Sequence, residues 1–414
     1  SVSDGSALGV APGLAGVSSR GRDVASLNAG TSNVAIALPD SLVQLKSLTL
    51  GGTSGGFTLN SGGASSALSF YNTNNAIGVG SLTVLDGNHT INAPVIMESN
   101  LSVGVNAGQL ILNGSLSESG TSASVVKTGG GLLNLMSANS YSGGTTVQAG
   151  TLRAGNSQAL GSGLVQINAG AMLDATGAAL AVAGLTLASN ASLALAPAST
   201  LTSSGAVTLN GTINVSGSVS PATVGRYTLV SATGIAGTFT PGLISDPLNY
   251  YLAQTATDLN LQRKATIGSV SAVPEAGSMI IGGSVGVNVL VSNTAPTQAD
   301  DLNVVLSASG ALAGGSSPGG IVAGSSLSLG GLLYTGSSVG AAQTGTFALT
   351  GLNATNPVVT GSVTVNVYDH AFTTLTGGTL LINEAIVGYT GLLVSSNSLS
   401  VSNAAGYRAA LKTV

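Results

Sequence analysis

Two carboxylates twenty residues apart, Glu98 and Glu118, are the best candidates in this chain for paired acid–base chemistry. In a fold that climbs coil by coil, such a separation stacks residues on neighbouring turns, and cleaving a glycosidic bond takes two carboxylates flanking it. The other carboxylates between residues 26 and 262 are Asp40, Asp86, Asp174, Asp246 and Asp258, and the last two lie 12 apart, out of step with such stacking. Neither glutamate has a nearby His or Arg, so two solvated carboxylates are the plainer reading. His89 and His370 are the only histidines. Each stands alone and reads as a surface or turn residue rather than a base or metal ligand. Serine is so abundant that no Ser-His-Asp combination carries information. Asp300-Asp301 is an acidic pair, but adjacent strand residues face opposite ways, so a shared calcium would need a loop there. The Gly-rich turns at Gly51-Gly52, Gly129–Gly131 and Gly314-Gly315 lack the Lys-Ser/Thr that follows in phosphate loops. Tyr71, Tyr141, Tyr227, Tyr250 and Tyr251 could build a sugar platform, but they are dispersed, and the adjacent Tyr250 and Tyr251 point to opposite faces. No catalytic, cofactor-binding or metal-ligating residue is assigned, and the chain is expected not to be an enzyme.

The elements that would hold these residues are written in the composition. Of 414 residues only 10 are Lys or Arg and 14 Asp or Glu, 6% in all; 61 are Gly, and Cys and Trp are absent. Helix surfaces are built from Glu, Lys, Arg and Ala, so a helical enzyme is excluded. Gly, Ser, Thr, Asn, Val and Leu instead give short strands joined by tight turns. A net charge of −4 with scattered cations excludes nucleic-acid binding. Without Cys there is no disulfide, zinc thiolate or thiol chemistry. No run of 18 apolar residues is present, so no membrane insertion is expected. A cysteine-free chain beginning at Ser1 suits an exported bacterial protein whose signal peptide has been removed, located outside the cell or on its surface.

Residues 1–25, rich in Gly, Ala, Ser and Val, read as an extended N-terminal arm. From 26 to 262 the chain repeats. Asn-Ala-Gly occurs at 28–30, 106–108 and 168–170, and Gln-Ala-Gly at 148–150; Gly150 and Gly170 are 20 apart, Gly108 and Gly150 are 42 apart. A period near 20 with two or three short strands per unit predicts a parallel β-solenoid, on the order of 12 coils and about 55 Å long. Gly150 and Gly170 should occupy equivalent corners of adjacent coils.

One stretch is more specific. Residues 125–155, with Lys127, Gly129–Gly131, Ala138-Asn139, Tyr141 to Thr146 and Ala149 to Leu152, closely resemble the autotransporter-associated β-strand repeat, also called the passenger-associated transport repeat. Residues 89–117 and 226–262 resemble the coils around that repeat. The resemblance implies a secreted or surface-exposed bacterial β-solenoid and specifies no activity. After Arg263-Lys264 the pattern changes. Over 265–371, Val285, Val287, Val289 and Val291 share one strand face, and so do Val363, Val365 and Val367, which predicts an Ig-like β-sandwich. Residues 372–414 resemble the opening strands of bacterial Ig-like domains of the choice-of-anchor and Hydin type, a partial second unit or a source of donor or acceptor strands.

The fold expected is therefore all-β, a parallel β-solenoid (β-helix) followed by an Ig-like sandwich and part of another. Low charge and many strand edges favour a structural subunit of an extracellular fibre, matrix or surface layer, self-associating head to tail through β-strand pairing. The alternative is an adhesin or stalk, and a carbohydrate-active β-helix enzyme comes third. The partners expected are further copies of the chain, a cell-surface glycan or other matrix proteins.

Overall fold

A computed structural model describes residues 2–3, 23–52, 55–71, 78–120 and 122–369. The chain divides into two compact units, one ending at Gln262 and the other starting at Arg263, with Ser220–Gly225 belonging to the second. The partial Ig-like unit expected over 372–414, His370 and most of the N-terminal arm lie outside the described residues.

The first unit is a three-faced parallel β-solenoid. Its first face stacks strands from Val24–Asn28 to Gly234–Ala236, and its second is a 10-stranded sheet running from Val34–Ala37 to Thr240–Ile244. The third face is interrupted. Leu42–Leu45, Ala67–Phe70, Val95–Met97 and Leu116–Glu118 form a 4-stranded sheet, and strands resume only at Ala181–Val182, Leu201–Ser203 and Arg226–Ser231. Val, Leu and Ile stack inward in columns such as Leu101, Val125, Thr145, Val165, Leu185 and Val207, which stand in direct register on successive turns. The aliphatic members of that column are almost fully buried, each worth roughly 2 kcal/mol of transfer free energy.

The corner between the first and second faces explains the repeat visible in the sequence. Gly87, Gly108, Gly129, Gly150, Gly170 and Asn190 all have positive φ, between 61° and 81°, and recur every 20 or 21 residues. Gly150 stands opposite Ala171, so Gly150 and Gly170 lie at the same corner of adjacent coils, one place out of register. Crowding adds to the conformational demand at Gly108, where a Cβ would collide with the Gly87 carbonyl of the turn below.

The coil count and the arm differ from expectation. Among the described residues ten rungs are present instead of about 12, because some turns are long: Ser47 stacks on Ser81 and Ala206 on Gly234. Ten rungs span about 43 Å rather than about 55 Å. The first rung begins at Val24, inside the segment expected as an arm, and Val2–Ser3 pairs antiparallel with it, Val2 opposite Ala25 and Ser3 opposite Val24.

The described strands of the second unit pair antiparallel, apart from Ser278–Ile280, which runs parallel to Val358–Tyr368. Among the described residues its eight strands, from Ile267–Pro274 to Val358–Tyr368, form one hydrogen-bonded order. Val285, Val287, Val289 and Val291 are buried with Val363, Val365 and Val367 in its core, while Thr364 is exposed. Arg263 opens the unit. Its guanidinium donates to the Pro221 and Lys264 carbonyls and to Thr266 Oγ1.

Candidate functional site

The densest arrangement of polar side chains lies where the third face is interrupted. The rungs starting at Val125 and Thr145 have strands on two faces only. Their third-face backbone must find partners without a strand ladder, because a buried peptide group left unpaired costs about 1–3 kcal/mol. Side chains supply them. Asn139 Oδ1 accepts from Leu116 N at 2.8 Å, and its Nδ2 donates to Ala159 O at 2.6 Å, so one buried amide links three successive turns. The fully buried Tyr141 donates its hydroxyl to Thr145 Oγ1 at 2.7 Å, and Thr145 Oγ1 donates to Leu160 O at 2.9 Å. Burial pushes the Tyr141 phenol well above its ordinary range, against the opposing effect of the Thr145 hydrogen bond.

Lys127 sits at the far corner of the same rung. It stacks in register between Val103 and Val147, in a column otherwise apolar, and is fully buried. Its Nζ donates to Thr128 O at 2.8 Å, Gly129 O at 2.7 Å and Ala149 O at 3.1 Å. Desolvation pulls its pKa down to about 8. All three acceptors are carbonyls that turn the corner, so the ammonium braces backbone. Beside this seam lies an uncharged hollow of about 500 Å³ lined by Asn139, Gln158, Ser162, Val182, Thr202 and Ser203 among others.

The residues singled out in the sequence are dispersed. Glu98 and Glu118 lie on adjacent turns but one place out of register, since Glu118 stands opposite Met97. Neither is simply solvated. Glu98 accepts from Gln44 Nε2 at 3.1 Å and from Ser69 Oγ. Glu118 accepts from Ala123 N, Ser142 N and Ser142 Oγ at 2.7, 3.0 and 2.7 Å. Burial raises the Glu118 pKa, but these hydrogen bonds outweigh it and hold the carboxyl below its ordinary range. His89, expected at the surface, is buried. Its Nδ1 accepts from Phe57 N at 2.9 Å, its Nε2 donates to Asp86 O at 2.8 Å, and the ring stacks on Phe57 at 5.8 Å. Tyr250 is buried against Tyr227 and Tyr251 is partly exposed, the opposite orientations expected of neighbours. The Asp300 and Asp301 carbonyls accept from the Asn293 and Asn353 amides. Among the described residues no three His, Cys, Asp or Glu gather where a metal could be held.

Two features were not foreseen. Arg153 and Asp174 form an ion pair at 2.7 Å on adjacent rungs of the second face. Burial raises the Asp174 pKa, but Thr176 and Arg153 together bring it below the usual carboxylate range. Their spacing of 21 residues, one full turn, was the available signal. The other is Glu118 as a loop brace, whose partner Ser142 is 24 residues away and so off the period.

Residues 125–154 match the passenger-associated-transport-repeat family. Lys127, Asn139, Tyr141 and Thr145 all fall within that match, so the β-solenoid of the first unit carries an autotransporter-associated repeat. Over 73 residues, 17% of this chain, it is 47% identical to the adhesin BmaC autotransporter of Brucella suis biovar 1 (strain 1330). The aligned part is 2% of that relative's length. Among solved structures, the multi-modular cell-surface-expressed chitinase ChiW of Paenibacillus sp. str. FPU-7 aligns at 8% identity over 83% of this chain and 25% of that one, with a TM-score of 0.14.

Proposed function

We propose that this chain is part of the exported passenger of a bacterial cell-surface adhesin, with the solenoid as a non-catalytic stalk and the second unit as an Ig-like module that follows it in sequence. The observation that carries this reading is the seam. The residues matching the passenger repeat are the ones that hold two turns without a third-face strand inside one continuous core, so the repeat is integral to the coil. The stretch of close identity to an adhesin autotransporter supports the same reading. Polar side chains that brace backbone, among them Lys127, Asn139 and Glu118, suit the stalk role.

A head-to-tail fibre built by stacking solenoid ends has less support. The last strand of the second face, Thr240–Ile244, contains Pro241 and pairs with a register shift. On the third face, Asp258–Arg263 lies antiparallel on Arg226–Ser231. Proline and an antiparallel closing strand are devices that stop a sheet edge from accepting another chain.

The test is to display the full chain on beads and measure retention on epithelial monolayers and on immobilised matrix glycoproteins and glycans. Saturable retention, competed by soluble chain, is the expected result. Absence of retention across the panel, filaments in negative-stain images, or reducing ends released from a polysaccharide would each overturn the adhesin reading.

A further inference from the structure

The first face of the solenoid differs from the other two in having no outward charge. Across its ten parallel strands the only ionisable side chain is Lys127, which points inward and is fully buried. Outward, Ser47, Ser81, Ser102, Thr146, Thr186 and Thr208 belong to one column that holds direct register from rung to rung, with Val126 and Gln166 interspersed among them. These side chains are half-buried or exposed. The second face, by contrast, carries Arg153 and Asp174.

We propose that this face pairs with the same face of a second copy of the chain, the two solenoids lying side by side. Three observations select that occupant. No like charges meet when the face is laid on itself, and it is like-charge repulsion that ordinarily keeps copies of a protein apart. The face is periodic at about 4.8 Å, and only a partner with the same period stays in step over ten rungs. Its size is also adequate: about 43 Å by about 13 Å gives roughly 560 Å² per copy and about 1,100 Å² in all, just above the threshold of a specific interface. With no aromatic side chain among its strands, the face lacks the stacking surface a sugar would use. Pairing across a two-fold axis is isologous and closes as a dimer, a lateral contact independent of the solenoid ends and of the adhesin reading. Near the axis, Thr146 of each copy lies close to its counterpart, because the sixth rung faces the fifth.

The experiment is sedimentation velocity on the full chain at 0.15 M salt, over concentrations reaching on the order of 100 µM, a range that reads weak dimerisation. The wild type should dimerise reversibly. Thr146→Lys and Thr146→Glu should each weaken the dimer at least tenfold, and an equimolar mixture of the two should restore it, which misfolding could not do. Thr151→Lys, on the second face, should leave association unchanged. A monomeric wild type, equal effects of Thr146→Lys and Thr151→Lys, or no rescue on mixing would overturn the proposal.

Discussion

Lys127 is a cation sealed into an apolar column, and its proton leaves a signature in the alkaline range. Its folded pKa is about 8 against an ordinary 10.5. Below pH 8 the folded and unfolded states are both protonated, and the full cost of burying the charge is present. Between about 8 and 10.5 the unfolded chain binds more protons than the folded one, so stability rises with pH, by up to about 3 kcal/mol. Tyr141 opposes this from above. Its raised pKa keeps the phenol neutral in the folded state while the unfolded chain ionises near pH 10, so stability falls beyond that point. Thermal unfolding followed from pH 7 to 11 should therefore show a midpoint that climbs from pH 8 and turns over near 10. Lys127→Met should be less stable at pH 7, because it leaves the three carbonyls around Nζ unpaired, and should lose the climb. A climb that survives in Lys127→Met would assign it to another group.

The corner glycines make the element scale quantitative. Gly108 and Gly170 share a positive φ, of 71° and 78°. A Cβ at Gly108 would strike the Gly87 carbonyl, whereas one at Gly170 meets nothing within 4 Å. Gly170→Ala should cost about 1 kcal/mol from backbone strain alone, and Gly108→Ala clearly more, read from denaturant midpoints at constant slope. In the second unit, Val365→Asp should cost several kcal/mol as a buried unpaired charge, and Thr364→Asp little, since Val365 is buried and Thr364 exposed. These positions were legible in the sequence because corner spacing and strand alternation are local and periodic. The coil count was not, since the step from Ser47 to Ser81 hides inside a long turn. Nor was the role of His89, whose partner Phe57 is 32 residues away. The seam residues could be recognised as a motif from the sequence, but their work depends on a third-face ladder that stops at Leu116–Glu118, and no pattern in one strand reports the loss of its neighbour.

A stack whose rungs contact mainly their neighbours should tolerate losing one in the way a linear repeat array does. Removing residues 165–184 joins Leu164 to Leu185, which already stands in register with Val165. The shortened chain should fold with the same circular-dichroism spectrum and a thermal midpoint lower by a few degrees. Removing residues 125–144, the same length, takes away Lys127, Asn139 and Tyr141 and leaves Leu116 N without its side-chain acceptor. That chain should lose far more stability, and equal melting of the two would show that all rungs are equivalent. The difference matters because columns of interchangeable Leu and Val carry no address. Sliding one half of such a stack by a turn sacrifices only an end rung, so a uniform solenoid has many nearly degenerate threadings. Lys127, Asn139, Tyr141 and Thr145 each find their partners at one height only. The seam is thus the zero mark on an otherwise unnumbered ruler, breaking the translational symmetry of the coil so that a single threading is native.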